Sequence, residues 1–160
     1  MKRFLGTVLL AVATVGVAFV VGLRTKSRTV LRAIRRTNRA VFNPLQMESA
    51  GTPGSYASII HHLGRTTGRP YETPIQAIAT DDGFVIGLPY GSQADWLQNV
   101  LAAGSATLVH EGQTHEVDRP ELVPMETVSS HWSPQEQRTH HLFRVDEALS
   151  LRRVVPADTA

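Results

Sequence analysis

The chain contains no cysteine. That removes disulfide frameworks, thiolate nucleophiles and cysteine-based zinc or iron–sulfur sites. It has no G-x-G-x-x-G and no G-x-x-x-x-G-K-[ST], so the common dinucleotide and P-loop phosphate cradles are absent too. No G-x-S-x-G occurs among its serines, and no nucleophile–base pair points to a hydrolase. Histidine is present seven times, but not at ligand spacing. His61 and His62 are neighbours in a strand-like run and point to opposite faces, while His140 and His141 diverge by about 100° on a helical one. With no H-E-x-x-H or comparable spacing, no metal site is read from them.

Acidic residues are missing from the first forty positions, which carry nine Lys or Arg. The remaining 120 residues hold 7 basic against 14 acidic residues, a formal charge of −7. A net-negative domain is a poor general binder of nucleic acid, so no nucleic-acid partner is expected and the basic stretch needs its own explanation.

Charge and proline are both absent from residues 4–23, FLGTVLLAVATVGVAFVVGL. Twenty apolar residues in a helix span roughly 30 Å, about the hydrocarbon thickness of a bilayer. The run is long for a signal-peptide core and ends in GLRTKSR, without a small-x-small cleavage site. We read an uncleaved, single-pass transmembrane anchor over residues 1–23. Two bases precede it and seven follow within about 16 residues, so the positive-inside rule keeps the domain on the cytoplasmic side of the cell membrane.

Residues 24–42, RTKSRTVLRAIRRTNRAVF, continue as a basic amphipathic helix with Val30, Ile34 and Val41 at helical spacing. Two readings stay open at this point: a helix lying on an anionic leaflet of the lipid bilayer, or one packed on its own domain. Asn43-Pro44 is expected to end it. Residues 48–54, ESAGTPG, read as a linker, so 24–54 form one segment and 55–160 the domain.

Within the domain the period changes. Residues 56–63 and 71–79 read as strands, Asp81-Asp82-Gly83 as a hairpin turn, and 84–88 as a third strand. Residues 92–103 suit a helix stopped by Gly104, and 106–110 and 114–123 suit two more strands. Ser133-Pro134-Gln135-Glu136 is a good helix start. The tail from 143 to 155 is ambiguous between helix and strand. Hairpin-joined short strands with one helix between them predict an α+β protein built on an antiparallel barrel.

Two segments carry chemistry. In HLGRTTGRPYETPI, residues 62–75, two glycines frame a turn that can turn backbone N–H groups, hydroxyls and guanidinium forks towards a phosphate. A plain strand-joining loop with surface arginines has the same composition. In LPYGSQADWLQNVLAAG, residues 88–104, a glycine turn precedes a helix whose N-terminal N–H groups can meet an anion. Trp96 serves equally as core, and Asn99 as a buried bridge.

In this order and separation, G-R-x-[ST]-G-x-P, then T-P-[IL], then a glycine turn before W-x-x-N-x-x-A, the chain resembles the deazaflavin-dependent nitroreductase family. The resemblance covers about 70 of 160 residues. It implies a split antiparallel β-barrel, related to FMN-binding barrels, behind the N-terminal transmembrane helix. It implies the reduced deazaflavin coenzyme of the F-420 type, with FMN the less favoured alternative. Arg65, Thr66, Thr67 and Gly68 would bind the coenzyme's phosphate tail. Pro74 and Ile75 would line the deazaflavin, with Leu88, Pro89, Tyr90, Gly91, Ser92, Trp96 and Asn99 as the other wall. The activity implied is hydride transfer to a quinone, nitroaromatic or similar electron-poor acceptor. Tyr71 and Tyr90 are the candidate catalytic donors to the developing oxyanion, and the anchor makes a lipid-soluble quinone a sensible acceptor. Related barrels often pair, so a homodimer fits the resemblance. The chain departs from the family where Thr66, Tyr71 and Tyr90 stand in place of bases. Some relatives hold lipid-like molecules instead, so a non-catalytic barrel for a fatty acid or other membrane lipid is the alternative.

Overall fold

The structure is a computed structural model and describes residues 21–22, 24–25, 27–37 and 43–155. The span expected at residues 4–23 lies almost wholly outside them. Among the described residues no helix is long and apolar enough to cross a membrane.

Seven strands form one antiparallel sheet: β1 Ser58–Leu63, β2 Pro70–Ile75, β3 Ala77–Ala79, β4 Gly83–Gly87, β5 Ser105–His110, β6 Gln113–Pro124 and β7 Glu147–Arg153. Their order is β2-β1-β5-β6-β7-β4-β3. The two edge strands are therefore consecutive in the chain, with Gln76 alone between them. Neighbouring Cα atoms are about 3.8 Å apart, so the sheet must curl until its edges meet. The result is a barrel closed by a covalent joint and split beside it. Where the sequence predicts one strand over 71–79, the structure has two, because the chain leaves β1 at Ile75 and joins β4 at Ala77. Pro70 and Pro74 lack a backbone donor, which confines β2 to an edge.

Alternate residues fill the barrel. Ile60, Leu108, Val117 and Leu149 are fully buried, with Phe84, Ile86 and Leu151 almost so. Leu97 and Val100 of the helix Asp95–Ala103 pack into the same core. That helix starts three residues later than the sequence predicts and stops as predicted, with Gly104 left-handed at φ 72° and its N–H on the Val100 carbonyl. The ambiguous tail is β7, a central strand between β6 and β4. β4 is buried on both faces, since Val85 packs outward under Trp132, Met125 and Val145. That outer layer contains a short helix Met125–Val128, a 3-10 turn Ser129–His131 and the helix Pro134–Phe143. The last begins as predicted: Ser133 Oγ accepts from the Glu136 amide, and Glu136 Oε2 accepts from the Ser133 amide at 3.0 Å.

The N-terminal segment folds onto this barrel. We number the helices α1 Arg28–Thr37, α2 Asn43–Met47, α3 Asp95–Ala103, α4 Met125–Val128 and α5 Pro134–Phe143. Asn43-Pro44, expected to end a helix, instead opens α2; proline in a first turn gives up no internal hydrogen bond. Leu31 and Ile34 of α1 are buried against Tyr90 and Phe143. Arg35 donates to the Tyr90 carbonyl at 2.9 Å and the Gln93 carbonyl at 3.0 Å, and Arg24 to the Leu142 carbonyl at 2.8 Å. Packing on its own domain, one of the two readings of this helix, is observed.

Gly83 is the tightest point of the sheet. A Cβ there would run into the Leu151 carbonyl and lie 2.9 Å from the Arg152 Cα, and backbone on β7 cannot swing aside. Gly83→Ala is expected to destabilise the protein by about 3 kcal/mol, read as the shift in a denaturant midpoint; an unchanged midpoint would contradict this packing.

Candidate functional site

The split beside Gln76 opens into a cavity of about 760 Å³, within the range of small-molecule sites. Pro74, Ile75 and Gln76 form one side, and Ile86, Gly87, Leu88, Pro89, Tyr90 and Gly91 the facing side. Ala94 and Trp96 close it at α3, and Val30, Ala33, Ile34 and Thr37 of α1 lie across it. Asn43, Gln46, Tyr56 and Ala57, with His140 from α5, complete the lining. The surface is largely apolar.

The structure brings Pro74, Ile75, Leu88, Pro89, Tyr90, Gly91 and Trp96 together around this space. Arg65, Thr66, Thr67, Gly68, Tyr71, Ser92 and Asn99 are not among its lining residues. Ser92 is close by in the turn, where its carbonyl accepts from Gln98 Nε2 at 2.8 Å. Of the others, Arg65, Thr66, Thr67 and Gly68 lie in the loop between β1 and β2, Tyr71 at the start of β2 and Asn99 on α3. That loop closes on itself, with Gly64 N–H on the Arg69 carbonyl and Gly68 N–H on the Gly64 carbonyl, and Gly68 takes φ 65°.

Arg65 fastens the loop to the start of α3. Its amide and Nη1 donate to Asn99 Oδ1 at 3.1 and 2.8 Å, and Nη2 lies 3.3 Å from Asp95 Oδ1. Two donors on one oxygen orient the Asn99 amide, so Asn99 Nδ2 donates to His62 Nδ1 at 3.2 Å. His62 Nε2 must then carry the ring proton, which it donates to Thr73 Oγ1 at 3.1 Å. The Tyr71 ring stacks on His62 with centroids 5.7 Å apart. Asn99 and His62 are buried, and burial, helped by His61, holds the His62 pKa below its usual value. Because Asp95 immediately precedes Trp96, this chain of contacts sets the loop at the α3 rim of the cavity.

Sequence reasoning missed Tyr56, Gln76, His140 and the α1 residues. Gln76 Nε2 donates to Glu136 Oε1 at 2.6 Å. Hydrogen bonds from the Ser133 hydroxyl, then from the Ser133 amide and Gln76, hold the Glu136 carboxyl below the usual range against the opposing effect of its burial. The Tyr56 phenol is pushed up by burial of its polar end, then by Glu136 and Tyr90, although its ring is largely exposed; it stays protonated at neutral pH. The one available signal for His140 was its i, i+4 spacing from Glu136 behind a strong helix cap.

No known family's sequence profile matches the chain, and no curated protein matches it. Solved structures of similar fold exist. One, described as a reductase dependent on reduced F-420 (FDR-A), is 11% identical; the match covers 61% of this chain and 94% of that one, with a TM-score of 0.44. A second, described as a domain-swapped dimer, is 10% identical over 76% and 98% of the two chains, TM-score 0.49. An FMN-binding protein from Syntrophomonas wolfei subsp. wolfei is 11% identical over 81% and 98%, TM-score 0.39. At such identities and scores the likeness is one of fold outline, and the chemistry has to be argued from the residues.

Outside the cavity, His115 lies 5.1 Å from the Phe84 ring, which Arg153 covers at 5.0 Å. Burial first, then Arg153 and His110, lowers its pKa. His62, His115 and His140 thus all resist protonation in the folded state, chiefly through burial. The unfolded chain takes up these protons near pH 6.5, so the stability they support is complete above that pH and lost as pH falls below it. Melting temperatures taken at about pH 7.5, 6.5 and 5.5 should fall at each step; a flat series would contradict the burial of these rings.

Proposed function

We propose that this chain is a membrane-anchored oxidoreductase that transfers a hydride from a reduced deazaflavin coenzyme of the F-420 type to a quinone, nitroaromatic or similar electron-poor acceptor. One observation carries this reading. Pro74 and Ile75 of the first motif and Leu88, Pro89, Tyr90, Gly91 and Trp96 of the second line one largely apolar cavity. The volume and apolar lining suit a flat tricyclic ring, and the loop held by Arg65 at the α3 rim suits a phosphate-bearing tail.

When bound, the coenzyme supplies the hydride. The protein's part is to hold and enclose. Pro74 and Ile75 would press on one face of the ring, and Leu88, Pro89 and Trp96 on the other. α1 would keep water from the space above, with Arg35 holding the 90–93 turn in place. Thr66, Thr67 and Gly68 would offer hydroxyls and backbone N–H groups to the tail. Tyr90, which reaches the cavity, is the better placed of the two tyrosines to donate to a developing oxyanion; Tyr71 is stacked on His62.

A second reading has its own support. Arg65 is already engaged by Asp95 and Asn99, and Thr66, Tyr71 and Tyr90 leave the rim short of free positive charge. A barrel that binds a fatty acid or other membrane lipid in the apolar cavity fits those facts. Full-length protein in detergent, titrated in parallel with the deazaflavin coenzyme and FMN, discriminates. The first reading expects saturable deazaflavin binding, tighter than FMN, and quinone-dependent oxidation of the reduced form. Failure of both sinks it.

Residues 4–23, we propose, anchor the chain in the cell membrane with the domain on the cytoplasmic side. α1 follows directly, so the wall it contributes would face lipid-soluble acceptors. The full-length chain is expected to stay with membranes through an alkaline carbonate wash, and a variant lacking residues 1–23 to be released; a soluble full-length chain would refute the anchor.

A further inference from the structure

Gln76 and His140 give the cavity a polar stretch of lining. There Gln76, at the joint of the barrel, meets Glu136, and His140 stands one turn further along α5. Glu136 is fully engaged, accepting from Gln76 Nε2 at 2.6 Å and from the Ser133 hydroxyl and amide at 2.7 and 3.0 Å. His140 is not. Its ring meets Trp132 edge-on, with centroids 5.2 Å apart, and its Nδ1 is buried without a hydrogen-bond partner.

That orphan nitrogen decides the tautomer. A buried N–H with no acceptor is rarer and costlier than a lone pair with no donor, so the neutral ring carries its proton on Nε2. The imidazolium would place a second N–H on the dry Nδ1. Burial accordingly holds the pKa of this ring below the ordinary value, with Glu136 pulling the other way. The Nε2 edge lies against Gly87, where a Cβ would stand 3.5 Å from it. Gly87 and His140 both line the cavity. The missing side chain at 87 leaves that edge uncovered.

We propose that His140 donates a hydrogen bond through Nε2–H to an uncharged carbonyl oxygen, so that the cavity selects an apolar molecule ending in a neutral carbonyl, as in a quinone, over a fatty carboxylate. This rests on the function proposed above, with the acceptor's carbonyl at the Gln76–His140 part of the cavity beside the coenzyme ring. A neutral imidazole can polarise a carbonyl without forming an ion pair, as in other enzymes that keep an active-site histidine uncharged. Glu136, bonded to the lining residue Gln76 though not itself part of the lining, supplies the selection by charge. Its hydrogen bonds keep it ionised, and a carboxylate headgroup brought to the same stretch would meet a like charge.

Proton–nitrogen correlation spectra of the full-length protein in micelles read the tautomer of each histidine ring. At neutral pH His140 is expected as the neutral Nε2–H form, and menadione is expected to shift that signal. His140→Gln keeps an N–H donor near the same place and should bind menadione within about threefold of the unmutated protein, whereas His140→Leu should weaken binding about tenfold. Decanoate should bind more weakly than menadione. An Nδ1–H form or an imidazolium, equal menadione affinity in His140→Leu, or tighter binding of decanoate would each overturn the proposal. The tautomer is read on the unmutated protein, so a poorly folding variant does not remove the test. Deazaflavin binding depends on walls that His140 does not form, so its failure is distinguishable from failure here.

Discussion

Gln76 joins the two edges of the sheet, and one residue is too short to let them separate. Strand pairing elsewhere is continuous from β2 round to β3, but across the joint the barrel is closed by a peptide link instead of a ladder. Backbone hydrogen bonding therefore lapses beside the link, and the walls part there. The cavity follows from this constraint: Pro74 and Ile75 diverge with β2, while Ile86 to Gly91 continue from β4. A fully paired barrel of this size would be filled by its own side chains.

An opening in a barrel wall exposes apolar surface, and the chain covers it from three directions. α3 packs Leu97 and Val100 into the core and presents Trp96 to the cavity. α5 brings Glu136 and His140 to the joint itself, held by a capping box. α1 lies across the gap, its apolar stripe inward and Arg35 clamped on two backbone carbonyls. The arginine-rich face that first suggests a membrane surface has at least one member used for internal docking.

Burial of histidine recurs at both rims. His62 is neutral because Asn99 donates to one nitrogen and Thr73 accepts from the other. His140 is neutral because one of its nitrogens has nothing to accept from it. The same protonation state arises from a saturated network in one case and an incomplete one in the other. Only the incomplete one has capacity left for a ligand.

Much of the plan was legible in the residues. Gly104 and the Ser133-Pro134 start marked two helix ends because capping is local chemistry, and Asp81-Asp82-Gly83 marked its turn for the same reason. The family resemblance carried by the segments at 62–75 and 88–104 implied a split barrel and named seven of the residues that line the cavity. Other features depend on contacts between distant segments and carry no local signal. β4 is buried on both faces and β7 sits in mid-sheet, so neither shows clean alternation. The break at Gln76 reflects a change of pairing partner, not a change of composition. Asn99 could be read as ligand or bridge until Arg65 and His62 were seen on either side of it. By itself the sequence determined most of the elements, their order and the apolar N-terminal run. Which of those elements share a cavity, which helix covers it and which histidine reaches it were decided by tertiary structure alone, because barrel closure sets distances between residues that local chain geometry leaves free.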